Sequence, residues 1–138
     1  MKLSTMLRST MMRDPQKEAL VSGESRWTYA QLVEESERAA GLLADRGVRS
    51  GDRVAVMTYN EPEFVFTAFG AWMLGATLVP ANHKFQAPEV RYTVEHSEVR
   101  VGVVSAELEA IAREGVPDVD WLTSSAGGTF ADLHRDVQ

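Results

Sequence analysis

Residues 51–82 read GDRVAVMTYNEPEFVFTAFGAWMLGATLVPAN and carry the strongest structural signals of this chain. Residues 54–57 form a short apolar run with two β-branched side chains, which predicts a strand buried on both faces. Helix signals follow, from a cap at Asn60 to a left-handed stop at Gly75. Residues 77–79 are a second short apolar run. Strand, helix and strand in about 30 residues predict a βαβ unit with parallel strands.

The helix inside this unit has a clear start and an apolar surface. Pro62 falls in its first turn, and Glu63 stands three residues after Asn60, as in a capping box. Apolar residues cover every face from residue 64 to residue 74, so we expect protein all round the helix. Its aromatic residues could line an apolar ligand pocket, but we interpret them as core: Phe64, Phe66, Phe69 and Trp72.

The chain before this unit predicts a helix over residues 3–11 and a small hairpin from residues 19–21 and 26–28. Thr28 and Gln31 form a capping box that opens another helix, which Gly47 ends in a Schellman motif. Acidic residues of this helix look like a solvated face rather than catalytic carboxylates, because nothing indicates a buried environment for them: Glu34, Glu35 and Glu37.

Strands and helices also alternate after residue 82. A helix opened by Pro88 carries an imperfect apolar stripe of Val90, Tyr92, Val94 and, more weakly, His96. Residues 99–104 predict a strand, after which Ser105 is expected to cap a short helix over residues 107–113. A fourth strand covers residues 119–123, and a last helix begins at Thr129. This alternation predicts an α/β fold with a mainly parallel sheet and a small N-terminal hairpin.

Composition restricts the classes of function. The 138 residues suit one domain, and 14 basic against 20 acidic residues, without a basic cluster, exclude an ordinary nucleic-acid partner. The absence of cysteine excludes disulfides, thiolate metal sites and a cysteine nucleophile. No secretory signal and no apolar run of about 18 residues is present, so we expect a cytoplasmic protein without a transmembrane segment.

Few residues of the chain point to chemistry. Neither a Rossmann nor a Walker glycine motif is present, and His83, His96 and His134 are too far apart in sequence to suggest a metal site. The Ser/Gly-rich loop over residues 124–129 lacks a lysine, and we interpret it as a surface loop. His83 and Lys84 follow the predicted strand 77–79, at the sheet edge where α/β folds bind ligands. They are our candidates for substrate binding, and a solvated connecting loop is the alternative.

Three motifs together resemble the adenylate-forming acyl-CoA synthetase superfamily. WTYAQL (27–32) is similar to its first core motif, GVRSGDRVAV (47–56) to its strand entry, and WMLGATLVPAN (72–82) to its second core motif. The match extends through residues 89–92 and the strand at residue 99. The resemblance implies that residues 1–138 are the N-terminal segment of an AMP-binding (adenylation) domain, an incomplete part of the acyl-CoA synthetase fold.

The resemblance also implies a two-step reaction. A carboxylate attacks the α-phosphate of MgATP to give an acyl-adenylate and pyrophosphate, and a thiol, usually coenzyme A, then displaces AMP. The family's nucleotide loop ending in Pro-Lys-Gly and its C-terminal domain are absent from these residues. We therefore assign no catalytic residue and no metal ligand here, leave cofactor contacts unassigned, and expect the isolated chain to be inactive and to hold no cofactor tightly.

The second core motif indicates which branch of the family the chain resembles. Residues 80–82 read Pro-Ala-Asn, which looks more like the acyl- and aryl-CoA ligases than the amino-acid-activating relatives, so we expect a fatty acid as substrate. We also expect self-association of the isolated chain through apolar helix faces near residues 64–72. The alternative is a stand-alone, non-catalytic binding or dimerisation module derived from the same fold.

Overall fold

The computed structural model of the protein describes residues 3–22, 24–59 and 62–124. Its helices and strands alternate as the sequence predicts, and the α/β class is confirmed. Asn60, the residues after Ser124, the last predicted helix and His134 lie outside the described residues. The elements are α1 (Leu3–Arg13), β1 (Glu18–Ser22), β2 (Ser25–Thr28), α2 (Tyr29–Asp45), β3 (Arg53–Met57), α3 (Pro62–Met73), β4 (Thr77–Pro80), α4 (Ala87–Glu95), β5 (Val101–Ser105), a 3-10 turn (Ala106–Leu108), α5 (Glu109–Gly115) and β6 (Asp120–Ser124).

Four parallel strands form the main sheet, in the order β4-β3-β5-β6. Val54 of β3 is aligned with Leu78 of β4 and with Val101 of β5, and β1 and β2 pair separately as an antiparallel hairpin. Strand β4 lies at an edge of the sheet, where the Pro80 nitrogen, which cannot donate a hydrogen bond, is tolerated. The predicted parallel βαβ unit and the predicted hairpin are both confirmed.

The sheet lies between two layers of helices, so the interior strand β3 is buried on both faces. Alternate residues of β3 enter different cores: Val54 and Val56 pack towards α1, α2 and α3, whereas Ala55 and Met57 pack towards α4 and α5. All four side chains are at most 1% exposed. This burial is what the uninterrupted apolar run predicts for a parallel strand.

Both ends of helix α2 form as the sequence predicts. At its start, the Gln31 N–H donates to Thr28 Oγ1 (3.2 Å) and the Thr28 N–H donates to Gln31 Oε1 (2.9 Å). At its end, Gly47 adopts a φ of 94°, and the Val48 N–H donates to the Leu43 carbonyl (3.1 Å). These bonds complete a capping box and a Schellman motif, and both predictions are confirmed.

Helix α3 ends in the same way, since Gly75 has a φ of 77° and the Ala76 N–H donates to the Ala71 carbonyl at 2.9 Å. The prediction that protein surrounds this helix is wrong for the described residues. Phe66 is 1% exposed and packs edge-on against Trp27, whereas Phe64 is 37% exposed. The helix packs against the sheet, α1 and α2, and Phe64 is its exposed residue. Phe69 and Trp72 are half-buried on this helix.

Burial differs from expectation on two other helices. Glu35 is buried at 3% exposure, so the predicted solvated face is wrong there, although Glu34 and Glu37 are exposed. Glu35 stands three residues after Leu32 and four before Ala39, and it shares their inward face.

On α4, Val90 and Val94 are buried as an i,i+4 pair, but Tyr92 is 69% exposed and His96 is also exposed. Tyr92 stands two residues from each valine, which places it on the opposite side of the helix. The apolar stripe of α4 is therefore narrower than the sequence suggested.

Candidate functional site

The carboxyl ends of β3, β4 and β5 lie side by side at one end of the sheet, because the three strands are parallel and adjacent. Met57 is aligned with Val104, and Val56 with Pro80, so the residues that follow each strand become neighbours. We call the group formed by Thr58, Tyr59, His83, Lys84 and Ser105 the carboxyl edge. Open α/β sheets bind their ligands outside this end of the strands.

A tight turn after β4 presents His83 and Lys84 to the surface. The Ala81 N–H donates to the Val56 carbonyl (2.8 Å), which continues the pairing with β3 for one residue beyond β4. Asn82 then folds the chain back, since its Oδ1 accepts the Lys84 N–H (2.8 Å) and its carbonyl accepts the Phe85 N–H (3.0 Å). Asparagine suits such turns because its side chain reaches the backbone two residues on.

The structure brings His83 against Tyr59, the second residue after β3. Their ring centroids lie 5.1 Å apart, with the planes tilted by 51°. Tyr59 is 40% exposed, and both His83 and Lys84 are exposed. No carboxylate within the described ranges forms an ion pair with the Lys84 ammonium. A histidine, a lysine and an aromatic ring therefore share this part of the carboxyl edge.

Ser105 anchors the same group from the end of β5. Its side chain is completely buried, and its hydroxyl accepts the Tyr59 N–H at 3.1 Å. Ser105 is the N-cap residue of the 3-10 turn Ala106–Leu108, which precedes α5, but its side chain makes no capping bond, so the expected side-chain cap is wrong. Its hydroxyl accepts instead from the loop after β3. Our sequence reasoning missed Tyr59 and Ser105, although both stand at strand ends.

Two clefts lie at the opposite end of the sheet, where the amino ends of the strands are. One has a volume of about 360 Å³ and is lined in part by Arg46, Arg53 and Arg100, and the other has about 210 Å³. Arg46 Nη1 pairs with both carboxylate oxygens of Asp120 at 2.8 and 3.0 Å, and the nearby Arg49 Nη1 donates to the Ala44 carbonyl at 3.0 Å. Arg49 thus stabilises the carboxyl end of α2, and the Arg46–Asp120 ion pair joins the same end of α2 to β6.

Neither a metal cluster nor a membrane span is found in the part of the chain that the structure describes. Across residues 3–22, 24–59 and 62–124, no group of three or more histidine or carboxylate side chains could hold a metal ion. Over the same ranges, every helix is too short or too polar to cross a bilayer. The carboxyl edge offers groups that bind anions, since an imidazole and an ammonium form charge-assisted hydrogen bonds with carboxylates and phosphates.

Known proteins resemble the chain along almost its whole length. The profile of the family described as AMP-binding enzyme matches residues 7–132. A crotonobetaine/carnitine–CoA ligase of Salmonella typhimurium is 40% identical over 88 residues, which are 64% of this chain and 17% of the ligase.

Solved structures give the same result for the fold. The N-terminal domain of FACL13 from Mycobacterium tuberculosis superimposes with a TM-score of 0.88 and 31% identity, over 97% of this chain and 35% of that one. A fatty acyl CoA synthetase of the same organism gives a TM-score of 0.83 and 31% identity, over 97% and 28%. The chain thus spans about a sixth of the curated relative and about a third of the solved chains, and it belongs to the AMP-binding enzyme family.

Proposed function

We propose that the chain is the N-terminal segment, residues 1–138, of the adenylation domain of a longer ATP-dependent carboxylic acid–CoA ligase. The observation that carries this proposal is the family match over residues 7–132. The lengths support it, since the chain corresponds to 17% of the curated ligase and 28% of the fatty acyl CoA synthetase. Both matching relatives are enzymes, which does not favour a stand-alone binding module.

The proposed reaction makes an acyl-adenylate and then a CoA thioester. The ligase would use ATP, Mg²⁺ and coenzyme A, and Mg²⁺ would neutralise charge on the phosphates. The nucleotide loop ending in Pro-Lys-Gly that the resemblance implies is not found in residues 1–138, so we place metal and nucleotide binding in sequence beyond this segment. The role left to this segment is to form part of the sheet and to present the carboxyl edge to the substrates.

We further propose that His83 and Lys84 contact a negatively charged group of a substrate. Three features support this role: their position at the carboxyl edge, their exposure, and a turn fixed by Asn82. Lys84 pairs with no described carboxylate, and an unpaired ammonium remains available to an anion.

A fatty acid is the acid that we propose first. The support is the Pro-Ala-Asn sequence of residues 80–82 and the likeness to a fatty acyl CoA synthetase. The curated relative is named for crotonobetaine and carnitine, so a short zwitterionic acid is the competing substrate class. We also place the protein in the cytoplasm, because ATP and coenzyme A are its proposed substrates and the chain has no cysteine.

The test is acid-dependent formation of AMP and a CoA thioester by the full-length protein that contains this chain. The acids would be fatty acids of increasing length, carnitine, crotonobetaine and benzoate, and the thioester would be identified by mass spectrometry. We expect thioester formation to be fastest with a fatty acid. Preference for crotonobetaine or carnitine would overturn only the proposed acid class. Absence of AMP formation with every acid would overturn the proposed ligase activity.

Two variants test the proposed binding residues in the same assay. Lys84→Met and His83→Gln are each expected to raise the KM of one substrate, because they remove a binding group and leave the chemistry intact. Lys17→Met is the matched control, since Lys17 is an exposed lysine outside the carboxyl edge. Unchanged KM values for every substrate in both variants would mean that this turn is only a solvated connection.

A further inference from the structure

Ser105, Tyr59 and His83 form a continuous series of contacts across three neighbouring strands. Ser105 ends β5, Tyr59 follows the central strand β3, and His83 follows the edge strand β4. The Tyr59 N–H donates to Ser105 Oγ at 3.1 Å, and the Tyr59 ring lies 5.1 Å from the His83 ring. The completely buried Ser105 is therefore connected to an exposed imidazole through one residue.

The two ends of this series differ in how firmly the fold holds them. Ser105 is aligned with Ser124 of β6 and is 0% exposed, so the sheet holds its backbone in a buried position. His83 stands in an exposed turn, and its only described ring partner is Tyr59. Tyr59 in turn is 40% exposed, and its N–H bond to Ser105 ties it to the sheet. The Tyr59 ring thus adds a contact to a turn that Asn82 already fixes, and the backbone of Tyr59 is bonded to Ser105, 46 residues away in sequence.

We propose that Ser105 is a positioning residue that fixes His83, through Tyr59, at the carboxyl edge where the substrate binds. This inference rests on the proposed function, because it takes His83 as a substrate-binding group. Ser105 touches no substrate in this account. Its hydroxyl holds the backbone of Tyr59, and the Tyr59 ring limits the positions of His83, so less ordering of the imidazole is needed when substrate binds.

The first experiment measures the His83 imidazole itself and does not depend on ligase activity. The full-length protein is labelled with ¹³C-histidine, and the His83 signal is identified by its loss in His83→Gln. Ser105→Ala and Tyr59→Leu are each expected to move the His83 signal towards that of a solvated histidine, since the first removes the acceptor and the second removes the ring. Tyr59→Phe keeps the ring and the N–H bond, so the His83 signal is expected to stay in place.

His96 provides an internal control in the same spectrum. Its ring contacts Tyr92, one turn earlier on α4, with centroids 4.6 Å apart, and it is also exposed. A local effect of Ser105→Ala leaves the His96 signal unchanged, whereas a general loss of structure moves both signals. If Ser105→Ala does not fold, Tyr59→Leu decides the second half of the series, because Tyr59 is partly exposed and its replacement leaves no core cavity.

The second experiment tests whether the positioning of His83 affects the reaction. Ser105→Ala is expected to raise the same substrate KM that His83→Gln raises, by about threefold to tenfold, with little change in kcat. The double variant is expected to be no worse than His83→Gln alone, because both changes act through one group. An unchanged His83 signal in Ser105→Ala and Tyr59→Leu would overturn the proposal.

A moved His83 signal with every KM unchanged would also overturn the proposed role of Ser105 in the reaction. Absence of ligase activity in the unmodified protein would instead refute the proposed function, and the histidine spectra would still decide whether Ser105 fixes His83. The two failures are therefore distinguishable.

Discussion

Two glycines in adjacent helices are expected to respond to alanine with opposite signs. Gly70 lies inside α3, and a Cβ built there would stand 2.8 Å from the Ala40 nitrogen and 2.9 Å from Ala39 Cβ, both on α2. These atoms cannot swing aside, because one is backbone and the other is a Cβ. Gly41 lies inside α2, and a Cβ there meets nothing within 4 Å.

The magnitudes follow from two opposing effects. Replacing a helical glycine with alanine stabilises a helix by about 0.5–1 kcal/mol, and both sites receive this gain. Only Gly70→Ala must also push α2 and α3 apart by several tenths of an ångström, and overpacking of this kind costs about 1–3 kcal/mol. We therefore expect Gly41→Ala to stabilise the protein and Gly70→Ala to destabilise it. The two variants should differ by about 1–3 kcal/mol, since the shared helix gain cancels.

The assay is urea unfolding of both variants and the parent protein, followed by circular dichroism. Equal m-values across the three proteins would show that the free energies of unfolding are comparable. If Gly70→Ala were as stable as Gly41→Ala, helix propensity alone would explain both sites. The close packing of α3 on α2 at Gly70 would then be refuted.

Three further changes test other parts of the fold. Thr28→Ala removes the capping box with Gln31 and is expected to cost about 0.5–2 kcal/mol in urea unfolding, whereas Thr28→Ser should cost much less. Gly102→Ala places a Cβ against the Trp121 ring and should lower the urea midpoint clearly; a midpoint equal to that of the parent protein would contradict this contact. The isolated chain should self-associate with rising concentration on gel filtration, and Phe64→Ser should weaken this association because Phe64 is an exposed aromatic residue; a concentration-independent monomer would argue against an exposed interface.

The parts of the fold that the sequence predicts well are those whose signals are local. The apolar run of β3, the capping box at Thr28 and the left-handed glycines at 47 and 75 each depend on residues close together in the chain. Such signals specify where helices and strands begin and end. Alternation of strands and helices then leads to a parallel sheet, which the structure confirms.

The parts that the sequence did not predict depend on contacts between distant segments. Glu35 looked like part of a solvated acidic face, but it shares the buried side of α2 with Leu32 and Ala39. Ser105 looked like a helix cap, but its hydroxyl accepts a hydrogen bond from Tyr59 on another strand. Residue type alone could not distinguish these outcomes, because both are decided by which elements pack together.

The sequence predicts where His83 and Lys84 lie in the fold, but not which residues surround them. The predicted strand before them places both residues at the carboxyl ends of the strands, as in the structure. The contact between His83 and Tyr59 could not be foreseen, since it requires the alignment of β3 with β4. The strand alignment thus supplied the aromatic partner and the serine anchor of the site.

Acid-dependent exchange of labelled pyrophosphate into ATP is the sharpest test of the proposed adenylation, because it reports acyl-adenylate formation before coenzyme A takes part. The measurement uses the native protein, isolated from its source with an antibody against this segment, alongside the purified 138-residue chain. We expect exchange by the native protein only when a carboxylic acid is present, and no exchange by the isolated chain. Exchange by the isolated chain, or no exchange by the native protein with any acid, would contradict it.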